Sequence, residues 1–453
     1  MKRIISLLSA ALLVAGSKAA DIRGYVVDAE TGEALAAANV FVKGPTAGTT
    51  ADVRGYFEIN VADGTELTAA YVGYTPSSFT AESGNKAIEV RLQRSTELRD
   101  VNVYGSRTNF GVQSSQMSAQ TLSATQIKQL PTVMGEADVM KSLQKLPGVQ
   151  SSSDGAAGIY VRGGNYDQNL ITLDGSTLYN GEHLKGFSSS IIPDMVDNVT
   201  FYKGAFPARY GSRLSSVVDV GLKEGDLENY HGNVNVGMLL SAIHAEGPIW
   251  KGHTSFNIAA RASYFNWIMQ PLLDKVYDNP NALKPYSKMN YYDLNAKFVN
   301  KFSDRDKLTA VVYWGKDVSD ASPSDSYKIY KGDDNDNSDY LLIKHSTINH
   351  WDNVMGSAYW THLFNNSFSL NVNANISHYL YYLKLSSLER TEKEIKEDSY
   401  ASFNSEINET SLSTDFRLKR ESKHDIRWGI KGAYQWMIPQ VYTYSYILQR
   451  EAR

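Results

Sequence analysis

Residues 368–377 read Phe-Ser-Leu-Asn-Val-Asn-Ala-Asn-Ile-Ser, so Phe368, Leu370, Val372, Ala374 and Ile376 alternate without a break against Ser369, Asn371, Asn373, Asn375 and Ser377. A period of two puts every apolar side chain on one face of a strand and every polar one on the other. The texture recurs in Phe256, Ile258, Ala260, Ala262 and Tyr264 against Asn257, Ala259, Arg261 and Ser263. It recurs again in Ile426, Trp428, Ile430 and Tyr434 against Arg427, Lys431 and Gln435. A half-exposed soluble sheet and a barrel wall in lipid both carry this pattern. The connections separate them. Links near 247–253, 303–306, 365–366 and 421–424 are short, those near 266–290, 316–346 and 385–405 are long, and the two kinds alternate. Tight turns on one side and long loops on the other are the asymmetry of an outer-membrane barrel. About eight strands are expected across 227–453, with Tyr264, Tyr292, Trp314, Tyr379 and Trp436 at their ends, where amphipathic rings meet the membrane interface.

Composition agrees with export and with a lipid-facing wall. Lys2 and Arg3 precede the apolar run Ile4–Gly16, and Ser17 and Ala19 stand at the −3 and −1 positions of a cleavage site. A secretory leader over 1–19 is expected. No run of later residues is long and apolar enough for a membrane helix. The chain has no cysteine, so disulfides and thiolate metal sites are excluded. A net charge of −4 with both signs mixed argues against a nucleic-acid partner. Twenty-nine Tyr and seven Trp suit a surface that is half apolar and half wet.

Upstream of the wall the text falls into three parts. Residues 20–94 are short β-type runs broken by Gly32, Gly44, Gly55, Gly64 and Gly73, the layout of a small sandwich. Residues 95–130 read as a polar linker holding one β-run, Asp100–Tyr104, and a helix opened by a Ser123/Gln126 capping box. A compact α+β segment fills 131–226. It has a helix over Glu136–Leu146, β-runs at Ile159–Val161, Leu170–Leu173, Val199–Tyr202 and Val217–Val220, and a turn at Asp174-Gly175.

Two of these parts carry a resemblance. Through Thr31-Gly32-Glu33, Ala38-Asn39-Val40, Gly55-Tyr56-Phe57 and Tyr71-Val72-Gly73-Tyr74, residues 20–94 resemble the carboxypeptidase regulatory-like domain, a prealbumin-type sandwich with no peptidase activity of its own. Residues 135–223 resemble the plug of TonB-dependent outer-membrane receptors of the Bacteroidetes type. The matching residues include Gly135-Glu136-Ala137-Asp138, Leu146-Pro147-Gly148-Val149, Tyr160-Val161-Arg162-Gly163-Gly164, Leu173-Asp174-Gly175 and Phe206-Pro207-Ala208-Arg209-Tyr210-Gly211. Glu246-Gly247-Pro248-Ile249 and Ala260-Arg261 extend the likeness into the wall.

The resemblance implies a mostly β chain: a prealbumin-like sandwich, a small α+β plug, and the first strands of an antiparallel transmembrane β-barrel that has 22 strands in the family. It implies uptake of a bulky extracellular ligand, of siderophore, cobalamin, peptide or glycan type, energised by a periplasmic TonB-type partner, with lipid or lipopolysaccharide around the wall. A non-transporting surface receptor or sensor is the alternative. Asp100, Val101, Asn102, Val103 and Tyr104 stand where relatives place the TonB box, a segment that adds a strand to its partner; a last strand of the sandwich is the other reading. Arg162, Arg209 and Arg213 are expected to dock the plug on carboxylates of the wall, with Glu246 and Arg261 at polar-face or hairpin positions. The sequence has Leu214-Ser215-Ser216 where the glycan-importing branch carries an Ala-Ala-Asn-type signature, which disfavours a polysaccharide cargo. About eight strands cannot close around a plug, since open edges in hydrocarbon leave backbone groups unpaired. The expectation is a piece of a longer receptor.

Other motifs fail on inspection. The acidic run Asp333–Asp339 has neither Gly at position six nor Glu at position twelve of a calcium loop. Gly247–His253 has His253 where a phosphate loop needs Lys. There is no H-E-x-x-H pair and no G-x-S-x-G elbow. No catalytic residue, metal site or cofactor is expected.

Overall fold

The computed structural model describes residues 19–42, 48–52, 54–71, 74–81, 87–94, 119–129, 136–151, 156–276, 285–322, 327–331, 339–365, 367–390, 395–420 and 424–447. Residues 1–18 of the expected leader, the candidate box Asp100–Tyr104 and the acidic residues 333–338 lie outside these. The chain divides into two compact units.

The first unit contains the sandwich. Its strands are β1 (Ala19–Asp28), β2 (Asn39–Val42), β3 (Gly48–Thr50), β4 (Tyr56–Ala62), β5 (Glu66–Ala70), β6 (Tyr74–Thr75), β7 (Ser77–Thr80) and β8 (Ile88–Arg94). They form two four-stranded sheets, ordered β4-β1-β8-β6 and β3-β2-β5-β7. Ile22, Val26, Val40, Phe57, Leu67, Val90 and Leu92 fill the space between them. Asp28 ties the end of β1 to its neighbours. One oxygen accepts the Glu30 and Thr31 amides, and the other accepts Tyr74 Oη at 2.6 Å and Arg94 Nε at 2.7 Å.

The second unit begins with the plug: β9 (Ala119–Ser123), α1 (Ala124–Lys128), α2 (Val139–Leu143), β10 (Val149–Ser151), β11 (Ile159–Val161), β12 (Asn169–Leu173), β13 (Ser176–Thr177), β14 (Glu182–His183), β15 (Ser188–Ser189), β16 (Val196–Tyr202) and β17 (Ser216–Leu222). Its main sheet runs β13-β12-β17-β16-β9. Ser123 and Gln126 form the expected capping box on α1. The second helix is shorter than its periodicity suggested. Asp138 caps it by accepting the Lys141 amide, so it starts at Val139 and not at Glu136. Part of the expected linker is plug: Ala119–Ser123 pairs antiparallel with β16 as the sheet's edge strand.

The wall follows as β18 (His231–Val236), β19 (Leu240–Trp250), β20 (Thr254–Ser263), α3 (Phe265–Val276), β21 (Tyr286–Lys301), β22 (Asp306–Ser322), β23 (Tyr327–Lys331), β24 (Asp339–Asn365), β25 (Phe368–Arg390), β26 (Ile395–Arg420) and β27 (His424–Ile447). Among the described residues nine strands lie in one path from β18 to β27, with β23 paired to β24 off it, close to the about eight expected. The link expected over 385–405 is mostly strand, because β25 runs on to Arg390 and β26 starts at Ile395. With 23 and 26 residues these strands far exceed the ~10 needed to cross a bilayer.

The wall is inside out relative to a soluble sheet. Ser255, Asn257, Asn295, Thr309 and Asp317 are fully buried, whereas Val312 is 49% exposed and Ile376 58% exposed. The polar face lies against the plug and the apolar face points away, the distribution that lipid requires. The plug core continues into the wall through Ala259, Val311, Tyr313 and Met355.

In the sandwich, Gly24 leaves no room for a side chain: a Cβ there would collide with the Ile88 carbonyl and the Phe57 ring. Gly24→Ala is expected to cost about 1–3 kcal/mol through overpacking. Calorimetry of the full chain should show the sandwich transition at lower temperature.

Candidate functional site at the plug–wall interface

Strand register assembles this site. Arg261 on β20 and Asp293 on β21 face each other directly, and Asp293 in turn faces Gly315 on β22. One row along, Tyr291 faces Asp317. All four side chains are buried on the inner face. Gly315 matters through what it lacks, because a Cβ there would collide with the Tyr313 hydroxyl, which donates to Asp293 Oδ1 at 2.9 Å.

The plug inserts into this frame through the β14–β15 hairpin. His183 Nε2 lies 2.8 Å from Asp293 Oδ1 and Nδ1 lies 2.5 Å from Asp317 Oδ1. Its ring stacks on Tyr291 at 4.4 Å between centroids. The Leu184 amide donates to the second Asp317 oxygen at 2.7 Å. Burial alone would favour neutral His183, but Asp293 and Asp317 outweigh it and lift the imidazole from 6.5 to about 9. Arg261 closes the cluster. Its guanidinium makes two bonds to Asp293 Oδ2, at 2.9 and 2.6 Å, one to Glu136 Oε2 of the plug at 2.8 Å, and one to the Ser189 carbonyl at 2.7 Å. A planar fork with five donors suits such a junction, where a lysine could not serve the same geometry.

Three further contacts join the plug to the wall. Lys297 of β21 reaches Asp174 of the plug at 2.9 Å and donates to the Leu222 carbonyl at 2.5 Å. Lys307 of β22 pairs with Glu224. On β26, Glu409 accepts Tyr179 Oη at 2.6 Å and Thr177 Oγ1 at 3.2 Å from the plug, and Gln435 Nε2 of β27 at 2.6 Å.

Of the residues expected to dock the plug, Arg261 is at the centre of the cluster, and Glu246 is buried on β19 opposite Asn257. At Arg261, Lys297 and Lys307 the cation comes from the wall and the carboxylate from the plug. Arg209 lies over the Tyr210 ring and donates to its hydroxyl, within the plug. Arg213 donates to the Ser212 carbonyl and lies over Tyr179, the partner of Glu409. Arg162 occupies a left-handed turn at φ +49°. Sequence reading missed His183, Asp293, Asp317, Glu136, Asp174, Lys297 and Glu409. Asp293 and Lys297 did carry a signal, as lone charges at polar-face positions of a period-two strand. His183 carried none.

A small domain held by buried ion pairs against the polar inner face of an antiparallel wall defines a plug seated against a partial, unclosed β-barrel. Comparison with known proteins agrees. Residues 22–114 match the CarboxypepD_reg-like domain and residues 111–218 the TonB-dependent Receptor Plug Domain. The TonB-dependent receptor SusC of Bacteroides thetaiotaomicron is 31% identical over 221 residues, covering 45% of this chain and 21% of that protein. A TonB-dependent receptor of Formosa agariphila is 32% identical over 218 residues, covering 46% of this chain and 21% of that protein. These matches thus span about a fifth of the length of the curated relatives. Among solved structures, the ferric yersiniabactin uptake receptor of Yersinia pestis aligns over 73% of this chain and 61% of its own, with TM-score 0.42 and 12% identity. The siderophore receptor PirA of Acinetobacter baumannii covers 72% and 59%, with TM-score 0.38 and 12% identity. The chain carries an N-terminal carboxypeptidase regulatory-like domain followed by a TonB-dependent receptor plug domain.

Arg261→Ala would strand Glu136 without its cation and leave Asp293 with His183 as its remaining cation. Breaking one side of a buried pair costs about 3–5 kcal/mol, so the urea midpoint for exposure of the plug to protease should fall substantially. An unchanged midpoint would mean that the cluster does not hold the plug.

Proposed function

We propose that this chain is part of an outer-membrane importer that takes up a bulky extracellular ligand past a plug, energised by a TonB-type periplasmic protein. One observation carries the reading: the wall buries its polar face against the plug through ion pairs and leaves its apolar face outward. A plug held by ion pairs and hydrogen bonds can be loosened by work applied to it, because water can replace those partners during displacement. Arg261 and Glu409 are the wall residues assigned to docking in this reading, and Arg213 joins them through Tyr179. Glu246 belongs to the same inner face.

Asp100–Tyr104 is assigned the role of TonB box. Its alternating Val101 and Val103 suit strand addition to a partner, in which main-chain bonds supply affinity. Proline at those positions removes two N–H donors. The double variant Val101→Pro/Val103→Pro should lose at least about tenfold in affinity for the purified periplasmic domain of the TonB-type protein, equivalent to about 1.4 kcal/mol. Unchanged binding in a pull-down or titration would remove these residues from that role.

A further inference from the structure

The β14–β15 hairpin combines two features that the docking role does not require. Leu184, Lys185 and Gly186 follow His183 with φ of +49°, +60° and +97°, a left-handed run in which two members have side chains. Such a run is unfavourable for L residues and persists where the surroundings enforce it. On the wall side the enforcing contacts are His183 with both aspartates, Leu184 N–H with Asp317, and the Ser189 carbonyl with Arg261. On the plug side they include the Ser189 amide donating to Asp138 at 2.9 Å, Lys141 Nζ donating to the Phe187 carbonyl at 2.8 Å and the Ala157 amide donating to the Gly186 carbonyl at 2.5 Å, while the Gly186 and Phe187 amides donate to the His183 carbonyl within the turn.

The second feature is donor count. A neutral imidazole has one N–H, so it can donate to only one of two carboxylates. His183 has a carboxylate oxygen at hydrogen-bond distance from each nitrogen. With both carboxylates ionised, both contacts are favourable only in the imidazolium form. The charged and titratable groups around it are Asp293 and Tyr291 of β21, Asp317 of β22, Tyr313 of β22 behind Asp293, Arg261 of β20, and Glu136 beyond Arg261. Glu182, next in the chain, is directed to Tyr166 instead. With His183 protonated, three carboxylates face two cations. Without that proton they face one, and one aspartate oxygen meets a lone pair.

We propose that the hairpin Glu182–Ser189 is a proton-dependent latch: His183 in its imidazolium form clips the strained turn to Asp293 and Asp317, and loss of that proton frees the turn while the main plug sheet stays docked. This adds a separately releasable element at the tip of the hairpin, and it stands whether or not the chain is an importer.

The sign follows from linkage. The latched histidine titrates at about 9, above the 6.5 of a free one, so the latch is fully held below 6.5 and is lost as pH rises through 9. Opening in that window releases one proton, so the opening equilibrium should grow about tenfold per pH unit. The test is hydrogen exchange of amides 184–190 in the full chain in detergent micelles, corrected for intrinsic exchange, from pH 6 to 10. The expected result is that rise between about 6.5 and 9, levelling above it, while the amides of β12 and β17 do not follow. His183→Gln should expose the turn and abolish its pH dependence. A flat corrected profile in the unaltered chain overturns the proposal, even if the variant fails to fold. So does parallel opening of hairpin and sheet, which would mean that the whole plug undocks.

Discussion

A charged side chain on the inner face of a lipid-facing strand has nowhere inexpensive to go. It cannot turn outward into hydrocarbon, and inside it is cut off from water once a plug covers it. Arg261, Asp293, Lys297 and Asp317 are in that position, all nearly or fully buried. Their charges are met by one another and by Glu136, His183 and Asp174 of the plug. This matching constrains the rest of the second unit: the hairpin that places His183, the capped helix beside Glu136, and the register that sets Arg261 opposite Asp293 all serve it.

Those contacts also explain why the interface differs from an ordinary core. Apolar packing continues across it at Ala259, Val311, Tyr313 and Met355, but most of the wall's inner face is Asn, Ser, Thr and charge. An interface of that composition is specific in register, since each displaced ion leaves a partner unpaired, and its net strength is modest against a hydrophobic one of equal area. The plug is thereby held in one position without being welded there.

Much of this was legible before any coordinates. Period-two strands, tight turns, the sandwich and the plug strands follow from side-chain alternation and turn chemistry, which act between near neighbours. The structure departs from the local sequence pattern where a distant partner decides. Ala119–Ser123 reads as linker because five residues carry little pattern, and it becomes a strand because β16 offers an open edge. The outer links read as loops because their residues are polar, yet β25 and β26 extend through them by continuing the ladder of neighbouring strands.

The candidate site divides along the same line. Arg261 stood out alone as a charge on an otherwise neutral strand face, and sequence by itself determined that it points inward, because a period of two permits no other placement beside Phe256, Ile258 and Ala260. Which groups it meets was decided by tertiary structure alone. Asp293 lies 32 residues away and Glu136 125 away, and His183 joins the same cluster from a hairpin whose two-residue strands carry no periodic signal. Side-chain alternation is a local property of one strand, whereas charge pairing across a plug depends on register and docking, and these exist only once the chain has folded.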